Sequence, residues 1–142
     1  MLEYKVLTKG CEPQRMRKGD AGIDLRAAED VVIRPGDSEV IPLGVAFKIP
    51  EGMYGMLTHR SSMAFGKNCT ASLGVIDSNF TQEIKCKLFC HSDFYEARIK
   101  KGDRIAQLII HKYQGLELEE AEELGESKGG FGSSDSLEKS SE

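Results

Sequence analysis

Apolar and polar residues alternate over short stretches along most of this chain. In "EIKCKLFC", Cys86, Leu88 and Cys90 alternate with Lys85, Lys87 and Phe89, the two-residue period of a strand with one small apolar face. Strand-like runs recur in "YKVLT", in "VVIRPGDSEVIPLGVAFKIPEGMYGMLTH" and in "FYEARIKKGDRIAQLIIHKY". Turn signals break them at Arg34-Pro35-Gly36-Asp37, Pro50-Glu51-Gly52 and Lys101-Gly102-Asp103. Many short strands punctuated by Gly and Pro predict an all-β sandwich or barrel. Two segments depart from this pattern. "SSMAFGK" predicts a short helix after Arg60, ended by Gly66. "LELEEAEEL" has helix-forming residues but also alternates at Leu116 and Leu118, which leaves helix and strand both open.

Composition narrows the picture. A chain of 142 residues with 39% hydrophobic content can build one core and not comfortably two. From Gly125 the sequence "GESKGGFGSSDSLEKSSE" is Gly, Ser and charge, with too little apolar surface to order itself. One β domain over 1–124 and a flexible arm over 125–142 follow. The arm holds Phe131 framed by Gly129, Gly130 and Gly132, which leaves open a plain solvated tail and a segment that closes over a flat ligand. A net charge of −4 with mixed signs argues against duplex binding. No run reaches the roughly 20 apolar residues of a membrane helix. Glu3 and Lys5 stand where an export signal is apolar, so a cytoplasmic protein is expected. Cys11, Cys69, Cys86 and Cys90 form no C-x-x-C pair, and Cys86 and Cys90 read as small apolar residues of a strand rather than zinc ligands.

The chemistry concentrates in polar clusters set into this framework. "LGVIDSNF" runs three apolar residues up to Asp77, and a buried idle acid there would be costly. "AGIDLRA" supplies Asp24, "HRSSMA" supplies Arg60, Ser61 and Ser62, "GDRIAQL" supplies Asp103, Arg104 and Gln107, and "GGFGSS" lies in the arm. Singly, each admits a structural role. In this order, over about Gly19 to Ser134, they resemble the five motifs of the trimeric dUTP nucleotidohydrolase (dUTPase) family. Ser62, where the second motif more often has glycine, makes the likeness closest to phage and bacterial members.

The resemblance implies a distorted jelly-roll (β-clip) subunit and a homotrimer with active sites at the subunit junctions. It implies hydrolysis of dUTP to dUMP and pyrophosphate with Mg2+, which keeps uracil out of DNA and supplies dUMP for dTMP synthesis. Asp77 would be the general base that orients water against the α-phosphorus. Arg60, Ser61, Ser62 and Gln107 would hold the triphosphate, and Asp103 and Arg104 a subunit contact. Asp24 would order metal-bound waters without touching the metal. A hairpin around Ala71 to Asp77 would read uracil through its backbone, with Ala71, Gly74, Val75 and Ile76 around the base and sugar, and Lys85 adding a backbone contact. Phe80 replaces the usual tyrosine under the deoxyribose. In the arm, Lys128, Phe131, Gly132 and Ser133 would close the site, Lys128 being the one cation near the γ-phosphate because Glu126 stands where the motif has arginine. Two rivals accompany this reading. The dCTP deaminases share the fold, but their glutamate falls at Lys87 here. A regulatory homologue with weakened catalysis and a protein partner is the other.

Overall fold

None of the turns read from the sequence joins two strands that pair with each other. The computed structural model describes residues 1–132. Its strands are β1 Glu3–Val6, β2 Gly22–Arg26, β3 Val31–Ile33, β4 Ser38–Pro42, β5 Val45–Lys48 and β6 Met53–His59, then β7 Cys69–Ala71, β8 Gly74–Ile76, β9 Lys85–Cys90, β10 Ala97–Ile99 and β11 Arg104–Lys112. One short helix, α1 Ser61–Gly66, follows β6. The pairings are β1–β5, β10–β3, β4–β9–β7 and β2–β11–β6–β8, all antiparallel. The turn at Arg34–Asp37 is closed by Asp37 N donating to Arg34 O, and that at Pro50 by Met53 N donating to Pro50 O. Each therefore carries the chain from one sheet to another. The result is a distorted jelly roll, as the alternation and the resemblance led us to expect.

The core forms between these sheets from the inward set of each strand. Leu25, Ile33, Ile41, Leu43, Val45, Leu88, Ile105 and Leu108 are fully buried. Cys86 and Cys90 are buried beside Leu88, so the two-residue period of β9 is obeyed. All four cysteines are free thiols.

Two local expectations are corrected. The stretch 116–124 forms neither helix nor strand and is exposed throughout. Five glutamates in nine residues repel one another at helical spacing. As a strand, the stretch has no partner within the described residues. The expected hairpin around Ala71 is also absent: β7 pairs with β9, whereas β8 pairs with β6. Ser72-Leu73 between them lacks the residues that adopt the positive φ of a tight hairpin turn. The two strands accordingly join different sheets.

Candidate active site

The four-stranded sheet places most of the candidate residues. Opposed residues of an antiparallel pair share a face. Register therefore aligns Asp24, Gln107 and Thr58 in one row, and Gly22, Ile109, Met56 and Val75 in the next row on the same outer face. At one corner of this face lies an open groove of about 650 Å³, lined by Arg17, Asp20, Asp24, Arg60, Ser61, Arg104 and Gln107 among others. Three guanidinium groups against two carboxylates leave it net positive, which suits a polyanion.

Asp24 is the organising residue. It is the one buried charged side chain among the described residues, 8% exposed. A buried carboxylate demands partners. It has two: Arg60 Nε donates to its Oδ1 at 3.0 Å, and Arg104 Nη1 lies 3.6 Å from its Oδ2. Arg60 Nη1 also donates to Ser62 Oγ at 3.1 Å and to the Arg104 carbonyl at 3.0 Å. The guanidinium is therefore fixed before any ligand arrives, and its Nη2 makes no hydrogen bond among the described residues. Ser61 and Ser62 occupy the exposed first turn of α1, with Arg60 extended at its N-cap. Gln107 Nε2 donates to the His59 carbonyl at 3.1 Å.

Asp77 lies elsewhere. It follows β8 directly and is exposed, and Phe80 N donates to its carbonyl at 3.0 Å to close a turn. That turn ties the acid to Phe80, whose ring is partly exposed. Ile76 opposes Gly55, so Asp77 sits beside the start of β6, while Arg60 leaves the end of it. Seven strand residues separate those ends, ~20 Å at about 3.3 Å per residue. One copy of the chain thus holds the two halves of the expected site apart. Gly74, Val75 and Ile76 lie on β8, the end strand of its sheet, with its outer edge unpaired among the described residues. Ala71 N donates to His59 Nδ1 at 3.4 Å, and Lys85 opens β9 beside Pro42. Lys128, Phe131 and Gly132 are exposed and do not line the groove. Ser133 lies outside the described residues.

Three features were missed from sequence. Arg104, expected at a subunit contact, joins Asp24 in the groove, and Asp103 caps its own turn by accepting from Lys100 N at 2.9 Å. The loop bearing Arg17 and Asp20 borders the groove, and the basic run "RMRKG" before "AGIDL" was its available signal. His59 bridges Gln107 to β7, which no spacing announces.

A family model described as dUTPase matches residues 9–135. A deoxyuridine 5'-triphosphate nucleotidohydrolase of Corynebacterium glutamicum is 40% identical over 114 residues, 79% of this chain and 76% of that protein. Among solved structures, a point mutant of the Staphylococcus bacteriophage 80alpha dUTPase with dUpNHpp superposes with a TM-score of 0.86 at 32% identity, covering 94% of this chain and 97% of that one. A mutant dUTPase of phage phi11 of S. aureus, described with a structural Mg(II) ion, gives a TM-score of 0.81 at 28% identity, covering 87% and 97%.

Proposed function

The chain belongs to the dUTPase family and is an enzyme that hydrolyses dUTP, and from that premise we propose that its active site is completed only when copies of the chain assemble. Asp77 of one copy then acts on a triphosphate held by Arg60, Ser61, Ser62 and Gln107 of another. One observation carries this reading: the acid and the phosphate loop stand at opposite ends of β6. In-line attack needs base, water and phosphorus within hydrogen-bond reach of one another. The apolar row of Ile109, Met56 and Val75 across the outer face, with Val75 62% exposed, is the surface a second copy would cover. A homotrimer is the assembly that the family resemblance implies for such a shared site. Four free, buried thiols suit the reducing cytoplasm as its setting.

In this reading Asp77 accepts a proton from water as the oxygen bonds to the α-phosphorus. The bond from that phosphorus to the bridging oxygen breaks, giving dUMP and pyrophosphate. Arg60 offers Nη2 to the phosphates from a guanidinium already fixed by Asp24 and Ser62. The open edge of β8 offers backbone groups at Gly74, Val75 and Ile76 to the uracil edge, with Ala71, Phe80 and Lys85 alongside. Lys128, Phe131, Gly132 and Ser133 belong to the arm that closes over the ligand.

The described residues contain no cluster of three or more His, Cys, Asp or Glu able to cage a metal. That donor set fits Mg2+ carried on substrate phosphates, which keeps several waters and needs few protein ligands. When bound, Mg2+ neutralises phosphate charge and orients the triphosphate. Asp24 is the groove acid to which this reading assigns the ordering of its waters. Phosphates that draw Arg104 toward themselves would free Asp24 Oδ2 for that role.

The test is subunit complementation. Asp77→Asn and Arg60→Ala should each abolish most pyrophosphate release. Refolded together in equal amounts, the two inactive variants should regain about a quarter of wild-type activity, because random mixing leaves that share of shared sites intact. No regain on mixing, with mixed oligomers verified by mass, would show that one copy holds the whole site.

A further inference from the structure

Gly22 sits inside strand β2, where a residue without a side chain weakens a sheet. Its φ is not positive, so no turn demands glycine there. The space it leaves is occupied. A Cβ at Gly22 would overlap Gln107 Oε1 and stand 3.1 Å from its Cδ and 3.3 Å from its Cβ. The Gln107 carboxamide oxygen therefore occupies the space that a side chain at Gly22 would take. Its other end is anchored as well, since Nε2 donates to the His59 carbonyl at 3.1 Å. That carbonyl also decides which way the amide faces, because turning it over would set two acceptors against each other. His59 is held in turn, its Nδ1 accepting from Ala71 N. Seated this way, the amide spends one N–H on His59, and its second makes no hydrogen bond among the described residues.

We propose that Gly22 is a positioning residue for dUTP hydrolysis, which by lacking a side chain seats the Gln107 carboxamide with its free N–H available to the triphosphate. This rests on the reading of Gln107 as a phosphate donor. A methyl group at Gly22 meets the far end of a flexible side chain, which can swing away. The fold should tolerate it, and the loss should fall on substrate binding.

The experiment is a double-mutant cycle on the assembled enzyme with Gly22→Ala, Gln107→Ala and the pair. Gly22→Ala should lower kcat/KM for dUTP about tenfold, the scale of one hydrogen bond to a charged group, and should do so mainly through KM. Its Kd for a non-hydrolysable dUTP analogue should weaken by a similar factor while its Tm holds. In the Gln107→Ala background, Gly22→Ala should change kcat/KM by less than about twofold. Should Gly22→Ala lower Tm, the pair should restore it, because the clashing amide is gone. An equal loss in both backgrounds would overturn the proposal, Gly22 then serving the strand rather than Gln107. A neutral Gln107→Ala would overturn both the proposal and the assignment of Gln107 to the phosphates, whereas an impaired Gln107→Ala beside a neutral Gly22→Ala would remove the proposal alone.

Discussion

At the scale of single residues, burial decides chemical character. Cys86 and Cys69 are both shut in the core. Burial pushes the Cys86 thiol up to about 12. Burial also raises Cys69 to about 11, with the neighbouring Cys90 thiol adding to the effect. Raised values mean that the folded state holds these protons more tightly than the unfolded chain, whose thiols titrate near 8.5. Their contribution to stability is therefore complete below about pH 8.5 and is lost as pH rises through the folded values. Melting followed by circular dichroism from pH 7 to 10.5 should show Tm falling more steeply in the wild type than in Cys86→Ala, which starts about 1 kcal/mol less stable for its lost core contacts. Parallel curves would mean that Cys86 does not titrate differently on unfolding. Asp24 meets burial differently, through ion pairs with Arg60 and Arg104. From sequence, Asp24 was legible as a candidate site acid, but its partners were not. They stand 36 and 80 residues away and meet it only because β11 pairs with β2 and β6 with β11.

At the scale of elements, the strands were legible and their partners were not. The two-residue alternation of β9 and the Pro and Gly of the turns located the elements, since both are local signals. Pairing is a non-local property, and every pair here skips at least one intervening element. The stretch 116–124 failed for the same reason: its composition suits two states, and neither has a partner within the described residues. Connections make equally specific demands. Gly44 links β4 to β5 with φ +64, and a Cβ there would stand 2.8 Å from Cys11 Sγ and 2.8 Å from Thr8 Cβ. Its N–H donates to the Glu83 carboxylate at 2.9 Å, and its carbonyl accepts from Leu7 N and Thr8 N. Gly44→Ala thus combines a left-handed backbone with overpacking against the core, and should cost about 2–4 kcal/mol. Urea unfolding should show a lower midpoint at unchanged slope. A loss below about 0.5 kcal/mol would mean that the linker relaxes freely.

At the scale of the whole molecule, the described chain divides into a packed β body and an extended run with every residue from 112 to 132 exposed. Leu116, Leu118, Leu124 and Phe131 in that run are almost fully accessible. Four large apolar side chains left to solvent on one segment fit a segment that works against another surface, and the groove of an assembled site is the one that motifs in the arm would complete. The body and the arm should therefore separate in experiment. Removing residues 125–142 takes away no core contact among the described residues, so Tm should move by less than about 2 °C and the assembly should persist. Turnover should suffer instead: kcat/KM for dUTP should fall at least about tenfold, with loss of closure over the phosphates appearing in kcat as well as KM. The same truncation in the Asp77→Asn background should still weaken binding of a non-hydrolysable dUTP analogue, because the arm would grip the ligand independently of proton transfer. A truncated enzyme with wild-type kinetics would deny the arm any part in the site. Phe131 and Lys128 would then be surface residues, and the groove with Asp77 would have to suffice for catalysis.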